Sequence, residues 1–101
     1  MNNKDFVVGK LEWDEVNIAH IARHNISTDE VEEVCDREPV VKEGHKNRLF
    51  LIGSTKQGRM VTVILNPAER EDEYRPITSY EASKSSICVY EEEVRKGGEA
   101  A

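Results

Sequence analysis

The sequence predicts an α+β fold, with two N-terminal helices and one C-terminal helix packed on a small antiparallel sheet of four to five strands. Two helix-start signals come early in the chain, several apolar strand-like runs follow, and a charged helical pattern comes last. A chain of 101 residues has room for one hydrophobic core but not for two. We therefore expect residues 1–101 to form a single domain.

Both N-terminal helices are predicted from their first turns. Asp14 can accept hydrogen bonds from free first-turn amides, and Ser27 with Glu30 has the spacing of a capping box. We therefore predict helices from about residue 14 to 24 and from about 28 to 37, where Pro39 follows. The residues expected to staple the helix starts or to face the core are Trp13, Ile18, Ile21, Ala22, Ile26, Val31, Val34 and Cys35.

The connection between these helices is a candidate site. Asn25 is one of the few residues that tolerates the left-handed conformation ending a helix. Arg23 and His24 are therefore expected in the last turn of the first helix, at the corner of a helix pair. Side chains at such a corner can be held in place and still be reached from solvent.

Strand patterns dominate the middle of the chain. The run MVTVIL at 60–65 is typical of a central strand covered on both faces. Pro76 cannot donate to a ladder, so its strand should be an edge there or contain a bulge. A final helix is expected from about 82 to 96, ending at Gly97-Gly98. The predicted strands cover residues 6–13, 40–45, 48–54, 60–65 and 74–80.

Charge is unevenly distributed along the chain. The net charge of −6 argues against simple nucleic-acid binding, which favours a basic face. Residues 37–67, however, contain six basic and two acidic residues, between acidic flanks. This segment is either ordinary solvated strand surface or a modest cationic patch suited to a phosphate backbone or an acidic partner.

The sequence also indicates a cellular compartment. No apolar run approaches the length of a membrane span, and the polar start MNNKD lacks the apolar core of a signal peptide. Cys35 and Cys88 are too few and too isolated for a disulfide framework or a zinc site. We expect a cytoplasmic protein whose two cysteines are buried free thiols.

An ordered set of short motifs runs through most of the chain. It comprises Trp13-Asp14, Asn17-Ile18, His20-Ile21, Arg23-His24, Ile26-Ser27, Glu30 to Val34, Arg48 with Gly53, Tyr74-Arg75 with Ile77-Thr78, and Lys96 to Glu99. From about residue 11 to 99, this order resembles the BrnT-type toxins of bacterial type II toxin–antitoxin modules. The resemblance implies a fold like that of RelE and ParE toxins. It also implies metal-independent RNA cleavage that stops growth, no cofactor, and neutralisation by a cognate antitoxin, often a ribbon-helix-helix protein.

RNA cleavage by such a fold needs a base near the 2′-hydroxyl, cations for the phosphate and an acid for the leaving oxygen. The catalytic candidates are His24, Arg48, Arg75 and Tyr80. The RNA-binding candidates are Arg23, Lys46, Arg59 and Lys84. Other roles stay open: His24 also suits a helix C-terminus, and strand arginines are often only salt-bridged. His20 and His24 share a helix face, but no third ligand is evident, so no metal site is expected.

The chain departs from its apparent relatives in the number of cations. Many relatives carry a second arginine in the last strand, where this sequence has Ser79-Tyr80, and a final helix rich in arginine. Here Lys84 is nearly alone on that helix and three glutamates occupy 91–93. Two hypotheses follow: a ribonuclease toxin, or a toxin-fold module that docks an antitoxin or RNA without cleaving it. A homodimer or a heterotetramer with the antitoxin is compatible with either. The nuclease further requires Arg48, Arg75 and His24 to converge over one groove.

Overall fold

Helices and strands alternate in blocks along the part of the chain that the computed structural model describes, residues 8–100, with side chains described to residue 96. The elements are β1 (Lys10–Leu11), α1 (Glu15–Ala22), α2 (Thr28–Asp36), β2 (Val40–Glu43), a 3-10 turn (His45–Asn47), β3 (Leu49–Ser54), β4 (Met60–Pro67), β5 (Glu73–Glu81) and α3 (Lys84–Ala100). The combination confirms the predicted α+β class. Of the predicted first strand over 6–13, residues 6 and 7 lie outside the described residues, and only Lys10–Leu11 is a strand.

The sheet is mixed, so the predicted antiparallel sheet is wrong in one respect. Its strand order is β1-β5-β4-β3-β2, and all neighbours are antiparallel except β1, which runs parallel to β5. The successive strands β2 to β5 reverse direction at each turn, which fixes the direction of β5. β1 then joins its outer edge through the pairs Lys10–Glu73 and Leu11–Tyr74. Side-chain alternation carries no strand direction, so the sequence pattern did not show this pairing.

Pro76 coincides with an irregularity in the ladder between β4 and β5. Ile64 pairs with Thr78, but the next residue, Leu65, pairs with Pro76, so Ile77 is the extra residue of a bulge. The prediction of a bulge at this proline is confirmed. Beyond Tyr74, β5 has a described strand partner only on its β4 side.

The core lies between the first two helices and one face of the sheet. α1 packs against β5, and α2 packs against β3 and β4. The buried cluster comprises Leu11, Ile21, Ile26, Val31, Val34, Val41, Leu49, Leu51, Val61, Val63 and Leu65. Ile18 and Ala22, predicted to face the core, are exposed instead. α1 has only eight residues and packs on one strand, so Asn17 and Ile21 suffice to fill its buried side.

α3 lies on the other face of the sheet. Val41 points into the core, so Lys42 points away from it, and the Lys42 Nζ atom is 3.3 Å from Glu93 Oε2 on α3. The helix continues through Gly97 and Gly98 to Ala100, so the predicted stop is wrong. Glycine lowers helix propensity but does not prevent the helical conformation.

The two cysteines differ in exposure. Cys35 on α2 packs against the core, whereas Cys88 on α3 is exposed, so the prediction that both are buried is wrong for Cys88. α3 covers the sheet near β2 and β3 and leaves its outer side in solvent. No described helix is long and apolar enough to cross a membrane.

Candidate functional site

The corner between α1 and α2 is held by a defined helix end. Asn25 has the left-handed φ of 60° that was predicted for it. Its N–H donates to Ala22 O at 3.0 Å, and the Ile26 N–H donates to Ile21 O at 3.1 Å. This is the hydrogen-bond pattern of a Schellman motif, and both isoleucines are buried. The motif fixes the backbone beside His24 while the histidine side chain remains exposed.

His24 meets Tyr80 at this corner. Their ring centroids are 6.1 Å apart and the rings meet edge to face at 64°, an ordinary attractive arrangement for aromatic rings. Tyr80 lies near the end of β5 and is 37% exposed. His20, one helical turn before His24, has its ring centroid 6.0 Å away. The structure therefore brings two of the four predicted catalytic residues together, with a third proton-carrying ring beside them.

A shallow depression continues the site along the outer surface of α1. It is lined by Glu15, Val16, Ala19, His20 and Arg23. Arg23, predicted to bind RNA, is thus on the same exposed surface as His20 and one residue before His24. Of the predicted RNA-binding cations, Arg23 is the one directly adjacent to His24 in the sequence.

Arg75, in contrast, is engaged at the other end of α1. Its guanidinium donates to the Asp14 carboxylate, which also caps the helix through the amides of Val16 and Asn17. The hydrogen bond from Arg75, with the Asn17 amide, lowers the pKa of Asp14 to about 2. The same bond raises the pKa of Arg75.

Arg75 and His24 therefore do not lie together. The eight residues of α1 separate the two positions by about 12 Å at 1.5 Å per residue. Along β5, the five residues from Arg75 to Tyr80 span roughly 16 Å. The convergence of Arg75 and His24 over one groove, which the nuclease hypothesis from the sequence requires, is not seen in this arrangement, so a nuclease that uses both residues at one phosphate does not fit this structure.

Arg48 belongs to the Arg75 end of the sheet. It comes just before Leu49, which pairs with Leu65, and Leu65 pairs with Pro76. Lys46 lies in the preceding 3-10 turn, exposed, with a left-handed φ of 59°. The predicted cations thus divide between the two ends of the sheet.

Arg59 and Lys84 lie nearer to the other end. Lys84 is the exposed first residue of α3, four residues after Tyr80. Arg59, predicted to bind RNA, forms an ion pair with Glu30 on α2 and donates to the Asn25 carbonyl. Sequence reasoning recognised Glu30 only as a capping residue. Its pairing with Arg59 joins residues 29 positions apart, and no local pattern indicates it.

Metal ligation finds no support among the described side chains. They contain no group of three or more histidine, cysteine, aspartate or glutamate residues able to hold a metal ion. His20 and His24 are close to each other, but a typical protein zinc site needs a third protein ligand. The rings of His20, His24 and Tyr80 and the side chain of Arg23 make up the candidate site.

Comparison with known proteins gives a match to a protein family. No curated protein and no solved structure matches this chain significantly. The sequence model of one family, described as "Ribonuclease toxin, BrnT, of type II toxin-antitoxin system", matches residues 13–86. This span runs from the residue before the Asp14 cap to the first turn of α3 and includes His24, Tyr80 and Arg75. The chain therefore belongs to the BrnT family of ribonuclease toxins of type II toxin–antitoxin systems.

Proposed function

We propose that this protein is a growth-inhibiting toxin that cleaves RNA without a metal ion, with His24 and Tyr80 as its proton-transfer pair. The observation that carries the proposal is the 6.1 Å separation of these two exposed rings at the hydrogen-bonded corner between α1 and α2. Histidine readily accepts and releases a proton near neutral pH, which suits it to general base catalysis. The ribonuclease family supplies the substrate class.

The proposed reaction is an internal phosphoryl transfer. His24 takes the proton of a ribose 2′-hydroxyl, and the oxygen attacks the adjacent phosphorus. The bond from phosphorus to the 5′-oxygen then breaks, and Tyr80 gives its hydroxyl proton to that leaving oxygen. The products are a 2′,3′-cyclic phosphate and a free 5′-hydroxyl, so neither water nor a cofactor is consumed.

The cations have two proposed roles that follow from their positions. Arg23 adjoins His24 and would face the phosphate that reacts, where a donor aimed at developing charge contributes most. Arg48 and Lys46 would hold the RNA backbone at the far end of the sheet, more than one nucleotide away, where Arg75 is paired with Asp14. Lys84, after the end of β5, would contact the strand on the Tyr80 side.

A cognate antitoxin is the proposed partner, since type II modules pair a toxin with a protein antitoxin. We further propose that it is a ribbon-helix-helix protein, that the complex is a heterotetramer in the cytoplasm, and that the toxin fold is RelE-like. Val16 on the outer side of α1 is 71% exposed and Ile18 is 42% exposed. An antitoxin covering these apolar side chains would also shield His20 and His24 beside them.

Replacement of the proton-transfer groups tests the mechanism. His24→Gln and Tyr80→Phe should each reduce cleavage of end-labelled RNA by about 10²- to 10⁴-fold, the usual contribution of a positioned acid or base. Cleavage by the unchanged protein should persist in excess EDTA and yield cyclic-phosphate ends. Arg70→Gln, a change in the distant loop before β5, serves as the control. Full activity of both variants, or its loss in EDTA, would overturn the mechanism.

Docking without cleavage is a second candidate, favoured by the Asp14–Arg75 pair. That pair already occupies one of the two strand arginines that the sequence offers to a phosphate. If this candidate is correct, the purified protein binds RNA or its antitoxin and releases no product. Turnover of labelled RNA by the purified protein, abolished by His24→Gln, would exclude it.

A further inference from the structure

The hairpin turn between β3 and β4 is closed by hydrogen bonds, and Arg59 is its last residue before β4. The Thr55 N–H donates to Arg59 O at 2.9 Å, and the Arg59 N–H donates to Thr55 Oγ1 at 3.1 Å. Thr55 is only 2% exposed. Gly58 supplies the positive φ of 87° that the turn needs. The guanidinium of Arg59 therefore extends from a fixed backbone position.

This turn is attached to α2 at two points. The Lys56 N–H donates to Glu33 Oε1 at 3.0 Å. One turn earlier on α2, Glu30 Oε2 lies 3.0 Å from Arg59 Nη1. Glu30 and Arg59 have only 25% and 29% of their side chains exposed, so solvent screens this pair less than a surface ion pair.

The same nitrogen of Arg59 reaches the corner that carries His24. Arg59 Nη1 donates to the carbonyl oxygen of Asn25 at 2.8 Å. Asn25 is the left-handed residue directly after His24, so this bond anchors the Asn25–Ile26 peptide, one residue beyond the histidine at the same corner. Partial burial opposes ionisation of Glu30, but the Ser27 amide and Arg59 hold its pKa below the usual range. The carboxylate thus remains charged and keeps the guanidinium in place.

We infer that Arg59 is a positioning residue that, together with Glu30, holds His24 in register with Tyr80, and that it is not an RNA contact. Its catalytic consequence rests on the function proposed above. The charge of Arg59 is balanced by Glu30 and its Nη1 hydrogen bonds go to Glu30 and Asn25. A phosphate at this guanidinium would have to compete with a carboxylate that already lies 3.0 Å from it.

Two variants that replace a charged side chain with an uncharged one distinguish the positioning of His24 from a contact with RNA. Glu30→Gln removes the partner charge but keeps the capping box, which accepts glutamine as well as glutamate. Arg59→Gln removes the cation. If Arg59 positions His24, both variants should lower kcat roughly ten- to a hundredfold, because small misplacements of a reacting group are costly. Both should leave KM within about twofold, since neither residue contacts the RNA in this proposal and substrate binding is therefore unchanged.

The opposite pattern would overturn the inference. If Arg59 binds RNA, Arg59→Gln raises KM, whereas Glu30→Gln frees the guanidinium and lowers KM. Arg59→Lys adds a third comparison. It should rescue an RNA contact that needs only charge, but it should rescue poorly a geometry that needs a planar group joining Glu30 and Asn25.

A readout without RNA keeps this test independent of the proposed function. The imidazole C–H signals of His24 can be followed by NMR in the folded protein. Glu30→Gln and Arg59→Gln should shift these signals, and Arg70→Gln should leave them in place. Shifts in a protein that cuts no RNA would retain the positioning role and reject only the nuclease. Unmoved signals in both variants would reject the positioning role itself.

Discussion

Asp14 connects the first turn of α1 to the sheet. Its carboxylate accepts from the amides of Val16 and Asn17 and from the guanidinium of Arg75. The local cap is visible in the sequence because helix starts obey short-range spacing. The Arg75 bond is not visible, since it joins residues 61 positions apart. The sequence therefore predicts that Asp14 caps α1 but does not predict its ion pair with Arg75.

The lowered pKa of Asp14 gives a pH-dependent prediction. Asp14→Asn should keep the cap but lose the charge, so the wild-type protein should have the larger free energy of unfolding near neutral pH. Because the pKa of Asp14 is lower in the folded protein, the ionised carboxylate stabilises the fold fully above the ordinary pKa of 3.8. This stabilisation is lost as the pH falls through about 2. The difference between the two proteins should thus be constant above about pH 5 and shrink toward pH 2.

Urea denaturation at fixed ionic strength measures this difference. Arg75→Gln in the Asp14→Asn background is the matched control, because the coupling of a pair disappears once one partner is gone. Arg75→Gln should lower the free energy of unfolding less in the Asp14→Asn protein than in the wild-type protein. A stability difference between wild type and Asp14→Asn that stays the same down to pH 2 would show that the ion pair contributes nothing to it.

At the scale of elements, short-range signals located the helix boundaries around the first corner but not the end of α3. The capping box of Ser27 and Glu30 and the left-handed Asn25 were predicted and occur. The end of α3 was not, because Gly97 and Gly98 permit a helix stop without requiring one. Helix faces were also predicted unevenly, since the exposed side of an element depends on which strand it packs against.

The two cysteines give a test of these helix faces. Burial, with the carboxylates of Glu32 and Asp36, raises the pKa of Cys35 on α2 to about 12. A thiol must ionise to react, so Ellman's reagent at about pH 8 should modify only the exposed Cys88 rapidly. Cys88→Ser should abolish the fast phase and Cys35→Ser should leave it unchanged. Equal rates at both thiols in the folded protein would contradict the assignment of Cys88 to the outer side of α3.

At the scale of the whole molecule, the sequence indicated candidate residues for the chemistry but did not show where they meet. Family resemblance and residue type indicated His24, Tyr80, Arg75 and Arg59 without showing their neighbours. Both arginines are paired with carboxylates. His24 and Tyr80 meet at the opposite end of α1 from Arg75. Pairings of this kind depend on strand order and on packing between distant segments, which residue patterns do not encode.

The distribution of paired and open cations predicts a shallow salt dependence for RNA binding. Four of the candidate cations form no ion pair within the described part of the chain: Arg23, Lys46, Arg48 and Lys84. Arg59 and Arg75 are each paired with a carboxylate. Each phosphate contact on a single strand contributes a slope of about −0.7 in log K against log salt, so four contacts give about −3. Participation of both paired arginines would give about −4.

Fluorescence anisotropy of labelled single-stranded RNA at several salt concentrations measures this slope. The inactive His24→Gln variant prevents cleavage during the titration. Lys84→Gln should make the slope shallower by about 0.7, because one released counterion is lost, and Arg59→Gln should leave it unchanged. A slope that falls equally in both variants would mean that Glu30 yields its arginine to RNA. The protein would then contact RNA with cations that are ion-paired in the structure as well as with those that are not.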